Sequence, residues 1–291
     1  MIGSCCARAA LAGNPSDGYG GAVFAVPVPE LLAFASLDPA DEFSVRAGDR
    51  DLERLLRATV SGFESAVGTV AHGSLSATTA IPRSVGLAGS SALIIAALRA
   101  LAAAVGHRFE PLDLAELALS VERDRMGVEA GLQDRLVQAL AEPVAMEFDP
   151  VSYRCVRLPP DLPVFVAWSV AASETSDTVH RSLRRRFDAG DRHVTTSMAG
   201  LAEQARRAAD AVERNDLPRL AAAINRTFEI RALMVDIDAT TLRLAEIGRR
   251  AGAAMNTAGS GGSVVGLAPS ATHVEHAIEA YEAAGHEALA L

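Results

Sequence analysis

The sequence predicts an α+β protein with strands and helices in both halves. Short apolar runs separated by glycine-rich turns occur near both ends of the chain, which is typical of strands. Between them lie long stretches with apolar residues at helical spacing. The Pro-rich segment LPPDLP at 158–163 is the clearest break in composition. We therefore expect two domains, residues 1–160 and 161–291.

The first half begins with two predicted strands, residues 2–12 and 21–28, on either side of the turn-rich segment GNPSDGYGG. Residues 51–67 predict a helix, because apolar side chains recur there every three or four positions. In the segment GSLSATTAIP polar and apolar residues alternate, and β-branched residues lie near its end, which favours a strand. Further helices are predicted at 90–105, 113–125 and 132–140.

The second half is predicted to start with strands and to continue with helices. The predicted strands are 143–149, 153–158 and 163–170. Residues 176–252 show a mostly helical pattern, in which Pro218 opens one helix. The end of the chain returns to a strand (AAMNTA), a glycine turn, a second strand (SVVGLA) and a helix at 272–284.

The composition excludes several classes of protein. The chain has no lysine, a formal net charge of −9 and an isoelectric point near 5.3. A nucleic-acid-binding surface normally needs a basic footprint, so no nucleic-acid partner is expected. A local arginine pocket for a small anion stays possible in an acidic protein.

The cysteines and apolar segments favour a cytoplasmic protein. Cys5, Cys6 and Cys155 lack the spacing of a metal site, which fits a reducing compartment. The apolar stretch 92–105 is shorter than the ~20 residues needed to cross a bilayer. The opening CCARAALAG is short and contains an arginine, so we interpret it as a strand rather than a signal peptide. We expect a monomer or homodimer with no membrane partner.

The segment GLAGSS (86–91) precedes the predicted helix 90–105 and raises the question of a phosphate site. Gly86 and Gly89 allow close approach of the backbone, and Ser90 and Ser91 add hydroxyls at the first helical turn. Free N–H groups and the helix dipole favour an anion at such a position. An ordinary serine-capped helix explains the same letters, so the segment alone does not decide between the two.

Two carboxylates further along the chain suit phosphoryl transfer. Glu122 and Asp134 are twelve residues apart and would lie about 120° apart on one continuous helix. Gly127 and Gly131 interrupt that helix and allow both side chains to reach one site. Transfer from ATP needs oxygen ligands for Mg²⁺ and a carboxylate that orients the acceptor hydroxyl. Solvated helix charges are the alternative explanation for Glu122.

Three glycine-rich stretches in this order resemble the three motifs of the GHMP kinases, a superfamily that includes galactokinases, homoserine kinases and mevalonate kinases. They are ARAALAGNPSDGYGG (7–21), PRSVGLAGSSA (82–92) and NTAGSGGSVVGL (256–267). The segments AGLQDR, TVHRSLRRRF and NRTFEIRALM make the chain most similar to the glucuronokinases, which are sugar-acid 1-kinases. The resemblance implies an N-terminal half like ribosomal protein S5 domain 2, a ferredoxin-like C-terminal half and an active site between the halves.

The resemblance also implies cofactors and site residues. ATP would be the phosphoryl donor, and its phosphates would be held without a lysine. The residues that match the family's phosphate loop are Pro82, Gly86, Leu87, Ala88, Gly89, Ser90, Ser91 and Ala92, with Ala88 and Gly89 in place of the usual small pair. Ser91 and Glu122 match the Mg²⁺ ligands.

Two further positions carry the implied catalytic roles. Asp134 matches the aspartate that orients or deprotonates the acceptor hydroxyl. Arg8 stands where several members have a catalytic lysine. Because arginine stays charged, it can offset phosphate charge but cannot move a proton.

The implied sugar-binding residues lie mainly in the first and last glycine-rich stretches. They are Asn14, Asp17, Gly18, Tyr19, Arg231, Gly259, Ser260 and Gly261. Asp17 matches the aspartate of a galactokinase sugar loop, although a simple Ser-Asp-Gly turn would explain it too. A sugar acid needs a partner for its carboxylate, and arginine offers a bidentate fork. The candidates are Arg231 first, then Arg135, Arg181, Arg184, Arg185 and Arg186.

These implications predict a kinase that phosphorylates the anomeric hydroxyl of a glucuronate-like sugar acid. A kinase of the same superfamily acting on a neutral sugar or another small alcohol is the alternative, because acceptor pockets diverge on shared folds. A non-catalytic ligand sensor of this fold is a third interpretation. The presence of Ser91, Glu122 and Asp134 together argues against the sensor.

Overall fold

The computed structural model describes residues 1–69, 72–169 and 177–291, with the backbone alone at 177–182. The chain forms two compact units, each assembled from separate stretches of sequence. The first unit contains Met1–Ala7, Pro27–Pro82 and Ala88–Ala141. The second unit contains Arg8–Val26, Arg83–Leu87 and Glu142–Leu291. The Pro-rich segment 158–163 lies inside the second unit, and the linear boundary at residue 160 remains a prediction.

The elements of the first 140 residues agree closely with the sequence pattern. They are β1 (Ile2–Ala12), β2 (Ala22–Asp38), β3 (Ser44–Arg46), α1 (Arg50–Val67), β4 (Ser74–Thr79), α2 (Gly89–Val105), α3 (Pro111–Ser120) and α4 (Leu132–Leu140). A 3-10 turn, Ser16–Tyr19, follows β1, and a π-helical turn, Val121–Arg125, follows α3. The helix predicted at 113–125 is therefore an α-helix only as far as Ser120.

In the first unit, helices cover one face of a small sheet. β4 pairs antiparallel with residues 33–38 of β2 and parallel with β3. Helix α2 is buried along most of its length, as expected for a helix that is apolar nearly all round. Helix α1 turns only one apolar face inward, and Asp49 caps it by accepting a hydrogen bond from Leu52 N at 2.8 Å.

The elements of the remaining chain build the second unit. They are β5 (Val144–Phe148), β6 (Val151–Cys155), β7 (Val164–Trp168), α5 (Asp177–Asp188), α6 (Arg192–Glu213), α7 (Leu217–Met234), α8 (Ala239–Arg250), β8 (Ala254–Thr257), β9 (Ser263–Leu267), α9 (Ala271–Ala283) and β10 (Glu287–Ala290). Four of these strands form an antiparallel sheet in the order β10-β7-β9-β8. The end of the strand predicted at 163–170 lies outside the described residues.

The prediction for β2 was wrong at its end, because the strand continues ten residues beyond 28. Pro27 and Pro29 lie within this longer strand, although proline cannot donate to a ladder. In the structure residues 22–25 pair with β5 and residues 33–38 pair with β4. Both prolines fall between these two ladders, where neither β4 nor β5 needs their missing N–H groups.

The core of the second unit fixes the strands that precede and follow the last glycine loop. Phe165, Met255 and Tyr281 are wholly buried in it. The Tyr281 hydroxyl donates to Leu244 O at 2.7 Å, and Met255 N donates to Asn225 Oδ1 at 3.0 Å. The first bond joins α9 to α8, and the second holds β8 against α7. In the described part of the chain, no helix is both long and apolar enough to cross a membrane.

Candidate active site

Two glycine loops approach each other closely in the second unit. They are 83–87, the first part of the predicted phosphate loop, and 258–262, which connects β8 and β9. A Cβ added to Gly259 would lie 2.0 Å from Gly86 O, and one added to Gly86 would lie 2.9 Å from Gly261 O. Gly86 also has φ +76°, a conformation that favours glycine. Side chains at these positions would push the loops apart.

Arg8 links the same two loops from β1. Its side chain is 4% exposed, and Nη1 donates to Gly86 O at 3.0 Å and also to Ala258 O. The backbone of β1 adds a bond from Ala10 N to Ala258 O at 2.9 Å. The predicted catalytic arginine is therefore a buried cation surrounded by loop carbonyls.

Arg231 lies in α7 and reaches the last glycine loop. It is 5% exposed, and Nη2 donates to Ser260 O at 3.2 Å. Its Nε is buried and has no hydrogen-bond partner among the residues that the structure describes. Burial and, to a smaller extent, the nearby Arg8 charge lower the pKa of Arg231 against the opposing effect of Asp238, and the resulting pKa is about 10. Such a buried cation is favourable only when a counter-charge compensates it.

The predicted sugar loop follows β1 and is fixed at both ends. Asn14 is buried, donates from Nδ2 to Thr257 O at 3.1 Å and accepts from Asn256 Nδ2 at 2.9 Å. Asp17 and Gly18 lie half-buried in the 3-10 turn. The first loop thus contacts the strand that leads into the last loop.

Tyr19 packs against α5. Its ring lies 4.8 Å from that of Phe187 and 4.4 Å from the Arg184 guanidinium, which also donates to Gly18 O. Arg184 is therefore already bound to Tyr19 and Gly18, which argues against its candidate role as a partner for a substrate carboxylate. Arg186 pairs with Asp191 at 2.9 Å, and Arg185 is exposed. The side chain of Arg181 lies outside the described residues.

The first unit carries the predicted metal ligands and the predicted base. Ser91 sits in the first turn of α2 and is 1% exposed. Its hydroxyl donates to Gln138 Oε1 at 2.6 Å. Ala88 precedes α2 with φ +61°, and no described side chain caps the helix. The N–H groups of this first turn are therefore not used by a side-chain cap.

Glu122 lies in the π-helical turn and is 2% exposed. Its Oε2 accepts hydrogen bonds from Arg135 Nε at 2.6 Å and from Arg135 Nη2. Arg135 Nη1 donates to Gly131 O at 2.7 Å and lies 3.3 Å from Asp134 Oδ2. Arg135 thus contacts two carboxylates of the protein itself, which argues against its candidate role as a substrate partner.

The break between α3 and α4 lies where the glycines predicted it. Gly127 has φ +70°, and Gly131 is the N-cap of α4. Asp134 stands in the first turn of α4, with a side chain that is 16% exposed. A carboxylate that is partly exposed at a helix start can reach a bound hydroxyl.

The residues present fit a magnesium ion. Ser91 is hydrogen-bonded to Gln138, and Glu122 is hydrogen-bonded to Arg135. Gln138 and Arg135 are three residues apart and therefore lie on one face of α4. No described residue donates to Glu122 Oε1, and the Ser91 hydroxyl keeps its lone pairs. Among the described residues no cluster of three His, Cys, Asp or Glu could hold a metal. Mg²⁺ keeps several waters and often takes only one or two protein oxygens, so this does not argue against it.

Some residues of the site carried no signal in the sequence. Gln138 and Asn256 are wholly buried amides, and Thr241 Oγ1 accepts from Gly262 N at 2.7 Å. Each lies within a helix or strand whose pattern does not mark that polar residue as part of a site. Only the fold shows that they face the loops.

Comparisons with known proteins identify the family of the chain. Residues 54–142 match the family model "GHMP kinases N terminal domain". A probable glucuronokinase 2 of Arabidopsis thaliana is 31% identical over 311 residues, covering 90% of this chain and 83% of that protein.

Two solved structures share the fold over the whole chain. Phosphomevalonate kinase of Streptococcus pneumoniae, in complex with phosphomevalonate and AMPPNP, superimposes with a TM-score of 0.85 at 14% identity, covering 100% of both chains. Galactokinase of Lactococcus lactis, complexed with galactose, gives 0.81 at 17% identity, covering 100% of this chain and 92% of that one. The chain belongs to the GHMP kinases, together with the glucuronokinases, and is an ATP-dependent kinase that transfers a phosphoryl group to an alcohol group.

Proposed function

We propose that this kinase phosphorylates the anomeric hydroxyl of a sugar acid of the glucuronate type and produces the sugar-acid 1-phosphate. The named activity of the glucuronokinase relative supports this choice. The observation that carries it is the buried guanidinium of Arg231, which has an unused Nε donor and lies near a second buried arginine.

A substrate carboxylate would supply what Arg231 lacks. Arginine has five N–H donors, and only Nη2 of Arg231 makes a hydrogen bond in the described structure. A carboxylate can accept from two donors of one guanidinium and would restore its charge balance. A neutral sugar would add no counter-charge to the one that Asp238 already provides.

The chemistry assigned to the chain is positioning and charge compensation. Asp134 would orient the acceptor hydroxyl and take its proton as the phosphoryl group is transferred. Arg8 would offset negative charge on the transferring group. The phosphate loop would hold the ATP phosphates through its N–H groups, and Ser91 and Glu122 would hold Mg²⁺. The ion would supply further compensation of phosphate charge.

The substrate-binding role extends to the first and last loops. Asn14, Asp17 and Gly18 would contact the sugar from one side, and Gly259, Ser260 and Gly261 from the other. Tyr19 would act mainly by holding its loop against α5, because Arg184 and Phe187 already cover its ring.

A panel of acceptors tests the proposal. Glucuronate, galacturonate, glucose, galactose and mevalonate are each incubated with ATP and Mg²⁺, while ADP release and product structure are followed. We expect a sugar acid to give the highest kcat/KM and a 1-phosphate product. A neutral sugar as best substrate would favour the alternative kinase, and no turnover with any acceptor would favour the sensor.

Variants of Arg231 test the carboxylate contact. Arg231→Gln should raise KM for the sugar acid by about 10–100-fold, as expected for a lost hydrogen bond to a charged group. KM for ATP should change little. Arg226→Gln is the matched control, because Arg226 lies in the same helix but is exposed and pairs with Glu229. A rise in KM for ATP without altered preference for the acid would instead place phosphate at Arg231.

We also propose a cytoplasmic enzyme that acts as a monomer or homodimer without a nucleic-acid or membrane partner. Three free cysteines, two of them buried, are compatible with a reducing compartment. Light scattering coupled to size-exclusion chromatography would determine the oligomeric state.

A further inference from the structure

Gln138 of α4 is a wholly buried amide that contacts the start of α2. Its Nε2 donates to Cys6 O at 3.0 Å and to Ala88 O at 2.9 Å. Its Oε1 accepts from Ser91 Oγ at 2.6 Å. All the polar atoms of this side chain are therefore used inside the first unit.

These partners determine the orientation of the amide. Backbone carbonyls can only accept, so the two of them must face Nε2, and Oε1 must face Ser91. The Ser91 hydroxyl also lies 3.1 Å from Ala88 O, but Gln138 Oε1 at 2.6 Å is the nearer acceptor, so the Ser91 proton is directed toward Gln138. Both lone pairs of the Ser91 hydroxyl then stay available for a cation.

The bond to Ala88 O has a second effect. Ala88 adopts φ +61°, which is unfavourable for a residue other than glycine and must be held by its surroundings. In a trans peptide the C=O and N–H groups point in opposite directions. Ala88 O also accepts from Ala92 N at 3.1 Å, so Gln138 is one of the donors that hold this carbonyl. Holding Ala88 O toward Gln138 turns the N–H of Gly89 away from Gln138, at the start of α2 where an anion is favoured.

We infer that Gln138 is a positioning residue for the phosphate loop. It fixes the Ala88–Gly89 peptide and the Ser91 hydroxyl in the orientations that a magnesium-bound nucleotide needs. The inference rests on the proposed nucleotide site at Ala88–Ser91 but not on the identity of the acceptor.

The test measures nucleotide binding without any sugar. Mg²⁺·AMPPNP is titrated into the protein by calorimetry, and Gln138→Met is compared with the wild type. Met has similar volume and no amide, so we expect affinity to fall by about tenfold, or about 1.4 kcal/mol. Arg99→Met is the matched control, because Arg99 donates to Ala139 O of the same helix at 2.8 Å without contacting Ala88 or Ser91. Its affinity should match the wild type.

Further variants separate a positioning role from general damage. In a Ser91→Ala background, Gln138→Met should cause a smaller loss, because part of its effect acts through the missing hydroxyl. If Gln138→Met fails to fold, Gln138→Glu replaces it, since Glu keeps the shape but cannot donate to Ala88 O. We expect Gln138→Glu to weaken binding at least as much.

The outcomes are distinguishable. If the wild type binds and a folded Gln138 variant binds as well as Arg99→Met, the positioning role is wrong while the proposed function stands. If the wild type does not bind AMPPNP with Mg²⁺, the nucleotide site and this inference both fail.

Discussion

Arg135 donates from both Nε and Nη2 to a single carboxylate oxygen of Glu122, and the side chains of both residues are almost fully buried. The other oxygen of Glu122 is thereby left for a ligand. The same contact makes Glu122 part of the stability of the first unit. Stability and the proposed binding of Mg²⁺ at Glu122 are therefore expected to be coupled.

We expect Arg135→Met to lower the free energy of unfolding by about 3–5 kcal/mol, since it leaves a buried carboxylate without its partner. The double variant Glu122→Gln/Arg135→Met should lose less than the sum of the two single changes. Urea denaturation measures all three. Additive losses would mean that the pair does not act as a unit.

Glu122→Gln should also raise the Mg²⁺ concentration needed for half-maximal activity, measured well below its unfolding temperature.

Asp134→Asn should lower kcat by about 10²–10⁴-fold, the usual cost of losing a general base. Asparagine keeps the size of the side chain but accepts no proton. The unfolding temperature should fall only modestly, because asparagine keeps an oxygen that can accept from Arg135 although the charge of that contact is lost. Asp124→Asn, an exposed change in the π-helical turn, is the control. Activity retained in Asp134→Asn would remove Asp134 from the mechanism.

The activity of Arg8 variants should fall in the order in which they lose charge and hydrogen bonds. Arg8→Lys should lose less activity than Arg8→Ala, because the charge survives while the planar fork does not. Arg8→Ala should also lower the unfolding temperature, since Gly86 O loses the Arg8 donor and Ala258 O is left with the bond from Ala10 N. Steady-state kinetics and thermal denaturation measure the two effects. Equal kcat in wild type and Arg8→Ala would limit Arg8 to a structural role.

Gly259→Ala should both destabilise the protein and abolish activity, because its Cβ would lie 2.0 Å from Gly86 O and 2.9 Å from Arg8 Nη1. The two glycine loops would have to separate. Gly48→Ala is the matched control, since nothing lies within 4 Å of an added Cβ there. Its unfolding free energy should stay within about 0.5 kcal/mol of the wild type. A Gly259→Ala protein as stable and active as Gly48→Ala would contradict the close approach.

The three thiols should differ in reactivity. Burial raises the pKa of Cys5 and Cys6, whereas Cys155 is exposed and its pKa is raised by partial desolvation and by Glu142. A disulfide reagent at pH 8 should modify one thiol of the native protein quickly and the other two only after unfolding. The fast phase should accelerate with pH beyond the usual thiol range, because only the thiolate reacts. Cys155→Ser should eliminate it, and a remaining fast phase would contradict the assigned burial.

The sequence predicted most helices and strands because their periodicity is local. Helix α4 was predicted with the bounds Leu132–Leu140 that the structure has, since glycine precedes it and its apolar residues recur at helical spacing. Strands β3 and β10 were missed because each is three or four residues long and owes its conformation to a neighbouring strand. The end of β2 was misplaced for the same reason.

In the candidate site too, contacts between residues far apart in the chain could not be predicted from the local sequence. The glycine loops and the carboxylates Glu122 and Asp134 were identified from motifs, and their roles remain predictions. The partners Arg135 for Glu122 and Gln138 for Ser91 follow only from which face of α4 meets α2 and the π-helical turn. No spacing in the sequence encodes those contacts, because the residues in contact are 13 and 47 positions apart.

The number of residues in the π-helical turn at Val121–Arg125 determines which way the site residues face. In a π turn each carbonyl accepts from the N–H five residues later, as Val121 O does from Met126 N. Such a turn therefore contains one residue more than an α-helical turn. Deleting one residue would restore an ordinary helix and rotate everything beyond it by about 100°. Glu122 would then turn away from Arg135 even though both residues were still present. Homologues of different length here are therefore to be aligned by this turn before their carboxylates are compared.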